Sequence, residues 1–255
     1  MTSPIYQKNP KPSALLALTH PGWTQAMFDK LQALYANNTW TLVPRDSSMI
    51  AQTTNGLTLT QTKYALDILD HAQMIDCKPM GTPMMAKTKG LQSTTPFSDP
   101  AHYRSLVGAL QYLTLTRPDL AYSVNFVSQF MHSPIEAHFK MVKPILRYVK
   151  GTIDFGLHFS SNSTLDLYAF SDADWAGCSL IQCSMTGYCV FLARNCISWS
   201  AKKQHIVSRS SIEAKYRAMA QTTVELTWIS FLFRDLDIKL HTPPLLLCDN
   251  LSALT

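Results

Sequence analysis

The sequence lacks several features that define common classes of protein. It has no run of about eighteen apolar residues, so no membrane-spanning helix is predicted. Its six cysteines do not form the paired CxxC motifs of a zinc site, and no secretory signal precedes them. We therefore expect reduced thiols, and a disulfide-rich secreted fold is excluded. Glycine is scarce, with 9 residues against 14 prolines.

The remaining composition is that of an ordinary globular protein. The chain has 255 residues, of which 46% are hydrophobic and 15% charged. This length is sufficient for one or two domains with a buried core. The net charge of +5 is mildly basic, which permits a nucleic acid partner and does not require one.

The periodicity of apolar residues divides the chain into five parts. Residues 1–21, with four prolines, predict a loose leader. Residues 22–49 combine a predicted helix at 22–36 with a strand at 40–43. Residues 50–100 contain a helix at 61–75 and a linker from 78, and the segment 45–56 has no core pattern. Residues 101–151 predict a helical unit, and residues 152–255 predict an α/β layer.

Within the last two parts, the pattern predicts individual helices and strands. Helices are expected from 103, at 120–130, at 133–151 and at 211–236; strands are expected at 155–160, 165–172, 186–193, 196–200 and 245–249. In the long C-terminal helix, an apolar residue recurs every four positions and predicts the face that packs on the core. These residues are Tyr216, Ala220, Val224, Trp228 and Leu232.

Three carboxylates lie at the ends of these predicted elements. Asp172 follows an alternating strand pattern, Glu213 lies in the first turn of the long helix, and Asp249 ends an apolar run. Carboxylates at such positions can converge on two Mg²⁺ ions about 3.5–4 Å apart, which cut phosphodiesters by activating a water molecule. Mg²⁺ prefers oxygen ligands, so these residues suit it better than the cysteines do.

Each carboxylate also has a structural explanation. Asp172 and Asp174 are typical of a turn after a strand. Glu213 completes a capping box with Ser210, in which the third helical residue bonds back to the helix start. Asp249 can cap a following helix. The occurrence of all three in this order favours the catalytic interpretation.

Basic residues surround the start of the long helix. Lys202, Lys203 and Arg209 are candidates for contacts with backbone phosphates, and the alternative is a solvated basic face.

Five motifs in the C-terminal part of the sequence resemble the ribonuclease H region of copia-type retrotransposon polyproteins. They are Phe170–Cys178, Thr186–Leu192, Ile197–Gln204, Val207–Ala218 and Leu247–Asn250. Upstream segments resemble the reverse transcriptase region of the same family. These segments are Asn37–Pro44, Leu59–Tyr64, Asp76–Pro79, Tyr103–Leu113, Thr116–Tyr122 and Ile145–Thr152. The resemblance therefore covers nearly all of residues 20–255.

The chain also departs from the family pattern. The polymerase fingers and palm would fall between about Pro44 and Asn55, and no Asp-Asp dipeptide occurs in the sequence, so we expect polymerase activity to be lost. Lys215 stands where the family usually has a second Glu, and Pro144 stands where it usually has a basic residue. The sequence ends at Thr255, before the family's fourth metal-binding carboxylate.

The resemblance implies an α/β fold. A ribonuclease H-like mixed sheet with flanking helices, truncated at the C-terminus, would follow a mainly helical reverse transcriptase remnant comprising residues 22–49, 50–100 and a thumb- or connection-like part at 101–151. Asp172, Glu213 and Asp249 would bind two Mg²⁺ or Mn²⁺ ions, and Glu213 would also position the 2′-hydroxyl side of the scissile RNA strand. The implied function is hydrolysis of RNA in RNA–DNA hybrids, weak or absent in this degenerate copy.

A second hypothesis is a non-catalytic module that binds nucleic acid or a polymerase partner from a retroelement. A third is that the chain does not fold stably. No membrane partner is expected, and we expect a cytoplasmic or nuclear location.

Overall fold

A computed structural model describes residues 50–84, 94–161, 164–177, 183–240 and 242–249, together with Gln25 and Gln32. The chain divides into two units between Arg45 and Asp46. In the first unit only Gln25 and Gln32 are described, and both are helical. The rest of the predicted helix at 22–36, the strand at 40–43 and the leader lie outside the described residues.

The second unit is mixed α/β, with two sheets and five helices among the described residues. The five α-helices are α1 (Thr62–His71), α2 (Pro100–Leu113), α3 (Ala121–Ser128), α4 (Glu136–Gly151) and α5 (Ser211–Asp235), and a 3-10 helix spans Pro118–Leu120. The strands are β1 (Ile50–Thr53), β2 (Gly56–Thr60), β3 (Gly156–Ser160), β4 (Leu167–Asp174), β5 (Met185–Leu192), β6 (Asn195–Lys203) and β7 (Leu245–Cys248). Helix α2 begins earlier than predicted because Asp99 caps it and Pro100 occupies its first turn.

The first sheet contains two corrections to the sequence analysis. The segment 45–56, for which no core pattern was expected, contains β1 and Gly56, which is the first residue of β2. Strand β3 pairs with β2 in this sheet, whereas we expected 155–160 to join the C-terminal mixed sheet. The hairpin was missed because β1 is mostly exposed and β2 has only five residues, so the alternation of Leu57 and Leu59 was too short to indicate a strand. The close approach of β3 to β2 requires Gly56, where an added Cβ would lie 1.8 Å from the Phe159 carbonyl oxygen.

Helices α1 to α4 form one hydrophobic core. Its centre is fully buried and aliphatic, with Leu69, Leu110 and Ile145 each at 0% exposure. Tyr103 is also buried there, and its hydroxyl donates to the Val127 carbonyl oxygen at 2.8 Å, so its polar atom is satisfied. Helices α2, α3 and α4 lie between residues 100 and 151, but α1 shares their core, so the boundary of a unit at 101–151 stays a prediction.

The second sheet has the strand order β6-β5-β4-β7. Strands β4, β5 and β6 are antiparallel neighbours, and β7 joins β4 in parallel after the α5 crossover. A parallel neighbour needs such a long connection, which α5 provides. Because the parallel β4–β7 ladder ends at Ser171 and Cys248, the next residues along the two chains lie side by side.

Helix α5 packs on this sheet with a face that differs from the predicted one. Ala214 and Ala218 are fully buried against Ala173, and Leu226 and Ile229 pack on the cluster around β4. The predicted core residues are exposed instead, with Val224 at 70% and Trp228 at 59%. The prediction was wrong because small residues allow the helix backbone to approach the sheet closely, which a hydrophobicity pattern does not register.

The other face of the sheet contacts the helical unit. The indole nitrogen of Trp199 on β6 donates to the Thr114 carbonyl oxygen at 3.0 Å. The Tyr122 hydroxyl on α3 donates to Asp174 Oδ2 at 2.6 Å.

Within the described ranges, no helix is both long enough and apolar enough to cross a bilayer.

Candidate functional site

Asp172 and Asp249 lie next to each other at one edge of the second sheet. The β4–β7 register pairs Ser171 with Cys248, so the next residues on the two strands are these two aspartates. Both carboxylates are accessible, and each is within reach of the same lysine. Asp172 Oδ1 also accepts from the backbone N–H of Ala173 at 2.7 Å, which fixes the orientation of the carboxylate.

Lys215 of α5 joins the two aspartates. Its Nζ lies 2.5 Å from Asp249 Oδ1 and 3.4 Å from Asp172 Oδ1. The lysine side chain is largely buried, with 17% exposure, so its charge is held between the carboxylates. The hydrogen bond to Asp249 raises the pKa of Lys215 and lowers the pKa of Asp249. Lys215 and Asp249 are therefore both charged at neutral pH.

Glu213 does not join this cluster. Its Oε2 accepts from the backbone N–H of Arg209 at 2.8 Å, and its Oε1 accepts from the Arg217 guanidinium at 2.9 Å. The Arg209 N–H and the Arg217 guanidinium, in that order, hold the pKa of Glu213 below its usual value. Ser210 caps the helix by accepting from the Glu213 N–H at 3.1 Å. Glu213 thus helps to cap α5, close to the structural alternative stated above.

A divalent metal does not fit these residues as they are arranged. Mg²⁺ requires several oxygen ligands in octahedral geometry, whereas the Oδ1 atoms of Asp172 and Asp249 both face an ammonium group. In the part of the chain that the structure describes, no three His, Cys, Asp or Glu side chains are grouped so that they could hold a metal ion. The role of Asp172, Glu213 and Asp249 as metal ligands stays a prediction, and no catalytic step follows from it.

An apolar cleft of about 580 Å³ borders the aspartate pair. It lies between the open face of the second sheet and the segment from Pro118 to Tyr122, and Asp172 and Asp249 form part of its wall. Phe170 and Trp199 line its apolar part. An apolar cleft with a few polar groups in its wall is typical of ligand-binding sites.

A second, basic cavity of about 320 Å³ lies near the start of α5. Lys202, Lys203 and Arg217 line it together with His205. Two of the three predicted phosphate-binding residues therefore share one surface. The third, Arg209, lies outside this lining and contributes its backbone N–H to Glu213.

Sequence reasoning missed the positions of Lys215 and Asp174 in this region. Lys215 was noted only as a departure from the family, and Asp174 only as a turn residue. The signal for Lys215 was its place directly after Ala214, which faces the sheet. Because α-helical residues advance by about 100° per position, the residue after a buried one can reach the sheet edge.

Comparison of the sequence with known proteins identifies relatives of this chain. An uncharacterised mitochondrial protein of Arabidopsis thaliana is 57% identical over 176 residues, which are 69% of this chain and 73% of that protein. The retrovirus-related Pol polyproteins from transposons RE1 and RE2 of Arabidopsis thaliana are each 49% identical over 199 residues. Those residues are 78% of this chain and 14% of each polyprotein. No protein-family model and no solved structure matches the chain.

The fold and the site define an α/β protein with an ion-paired aspartate pair at a strand edge. The chain belongs to the family of retrovirus-related Pol polyproteins from copia-type transposons, of which it represents a fragment. The resemblance stated from the sequence motifs is therefore confirmed.

Proposed function

We propose that this fragment carries a ribonuclease H-like domain that binds nucleic acid and whose metal-dependent hydrolysis of RNA in RNA–DNA hybrids is weak or absent. One observation supports the proposal most directly. The parallel pairing of β4 and β7, which follows α5 in the chain, brings Asp172 and Asp249 side by side. The mixed sheet order supports the assignment to a ribonuclease H-like domain. The absence of Glu213 from the aspartate pair supports weak or absent hydrolysis.

The basic cavity supports binding of a polyanion. Lys202 and Lys203 are the last two residues of β6, and Arg217, which also pairs with Glu213, comes from α5, so two elements bring these residues to one cavity. Contacts with backbone phosphates need such positive groups and carry little sequence information. The proposed partner is therefore an RNA–DNA hybrid or another nucleic acid, recognised mainly through its phosphates.

The test is hybrid binding by the full chain, measured by fluorescence anisotropy over a salt series. The variant K202Q/K203Q removes two charges from the basic cavity. The matched control, K63Q/K140Q, removes two exposed lysines from the helical unit. We expect the first variant to bind about tenfold more weakly at low salt and to reduce the salt slope by about two, and the control to behave like wild type.

Equal loss in both variants would contradict a defined phosphate-binding surface. The same titration in EDTA separates the two functional hypotheses. Binding through the basic cavity requires no metal, so its affinity should be equal in EDTA and in Mg²⁺. Affinity that requires Mg²⁺ would instead favour a metal-loaded catalytic site.

A further inference from the structure

Lys215 lies where a cation must lie to contact both strand-end aspartates. It follows Ala214, which is fully buried against the sheet, and its side chain extends to the edge where β4 and β7 end. Glu213 precedes Ala214 and lies on the opposite flank of the helix, where it contacts Arg209 and Arg217. The two flanks of α5 therefore serve different groups.

We infer that the Lys215 ammonium is the resident cation of the Asp172–Asp249 pair, and that this ammonium is what keeps a divalent metal ion from the pair. This inference rests on the proposed function only in assigning the aspartate pair to the hydrolytic site. The wild-type chain would then hold its aspartates without metal.

The electrostatics of the pair favour this arrangement. Two adjacent carboxylates repel one another unless a cation lies between them. Lys215 is covalently attached and already ordered, and its largely buried side chain contacts both oxygens. A metal ion would have to displace this ammonium before it could reach either Oδ1 atom.

Reversal of the charge at position 215 should create the metal site. A pair of unit charges about 4 Å apart in water changes an equilibrium constant about fivefold. The substitution Lys215→Glu changes the charge facing a divalent ion by two units and adds an oxygen ligand. We therefore expect Lys215→Glu to bind Mn²⁺ about tenfold more tightly than wild type, or better.

The experiment is a titration of the metal-free full chain with Mn²⁺. Binding is measured by calorimetry and by the loss of the electron paramagnetic resonance signal of the free ion. Wild type should show no saturable site at millimolar Mn²⁺, and Lys215→Glu should show one. The control K63E makes the same charge change on an exposed residue of α1, and should behave like wild type. The double variant D172N/K215E should lose the new site.

Two results would overturn the inference. One is saturable Mn²⁺ binding by wild type at the affinity of Lys215→Glu, and the other is a Lys215→Glu variant that folds and binds no metal. If Lys215→Glu is unfolded without metal, Mn²⁺ should restore its circular dichroism spectrum, and failure of Mn²⁺ to do so would also count against the inference. Metal binding is measured without nucleic acid, so its outcome is independent of hybrid binding.

Discussion

Arg117 is a buried cation that joins two parts of the helical unit. It is 2% exposed and precedes the 3-10 helix. Its Nε and Nη2 donate to the Asp119 carboxylate at 2.9 and 2.7 Å, and its Nη1 donates to the Thr152 carbonyl oxygen at 2.8 Å. The guanidinium also lies 5.6 Å from the Tyr148 ring centroid and 5.5 Å from that of Phe155. It therefore ties the α2–α3 connection to the end of α4.

The substitution Arg117→Leu keeps an apolar stem and removes every one of these hydrogen bonds. Loss of one partner of a buried ion pair costs about 3–5 kcal/mol. Asp119 is 35% exposed and can be hydrated in the variant, so the lower end of that range is the better estimate. We expect a loss of about 3 kcal/mol, which for a unit of this size lowers the melting temperature by roughly 6–12 °C.

The assay is urea unfolding followed by circular dichroism, with Arg104→Leu as the matched control. Arg104 is exposed, and donates to the carbonyl oxygens of Met131 and His132 at 2.8 and 3.3 Å. Because water can replace these bonds, the control should lose about 1 kcal/mol or less. Equal losses of unfolding free energy in Arg117→Leu and Arg104→Leu would refute the argument that burial makes the Arg117 interactions more stabilising than exposed ones.

Three further predictions concern other parts of the fold. Burial lowers the pKa of His138 in the folded chain, so the unfolded chain binds this proton first, and the free energy of unfolding should fall as the pH drops below about 6.5. In His138→Asn this part of the pH dependence of the urea midpoint should disappear. A pH dependence that is unchanged in the variant would contradict this prediction. A hydrogen bond from the Cys196 thiol lowers the pKa of Cys189 to about 7, so Cys189 should reach half-maximal alkylation by iodoacetamide near that pH in mass spectrometry. Removal of the donor in Cys196→Ala should move the alkylation midpoint upward, and no movement would contradict the assignment. Ala218→Leu should cost about 1–3 kcal/mol in thermal unfolding, whereas Ala220→Leu, on the exposed face of the same helix, should change stability little; the reverse order would mean that the packing face is misassigned.

Local sequence patterns predicted most elements of the second unit. The alternation in β4 and the apolar run of β7 specified strands because β4 buries every other residue and β7 is largely half-buried in the sheet. Ser210 marked the start of α5 through its cap. The β1–β2 hairpin escaped prediction because both strands are short and β1 is mostly exposed. Strand β3 was assigned to the wrong sheet because its pattern carries no information on its partner.

One error accounts for much of the difference between the predicted and observed sites. The apolar stripe through Tyr216 and Val224 was predicted as the packing face of α5, and both residues are exposed. The actual packing face runs through Ala214 and Ala218, which turns Glu213 away from the aspartates and brings Lys215 to them. The convergence of Asp172 and Asp249 was predictable because both end strands. The rotation of the helix was not, because it depends on close packing of small residues.

The most direct test of this account is cleavage of a labelled RNA–DNA hybrid by the folded full chain in Mg²⁺ and in Mn²⁺, beside the variant Asp172→Asn. We predict that wild type binds the hybrid and cleaves it no faster than Asp172→Asn does. Cleavage by wild type that is lost in Asp172→Asn would show that the aspartate pair supports hydrolysis despite Lys215, and would contradict the account.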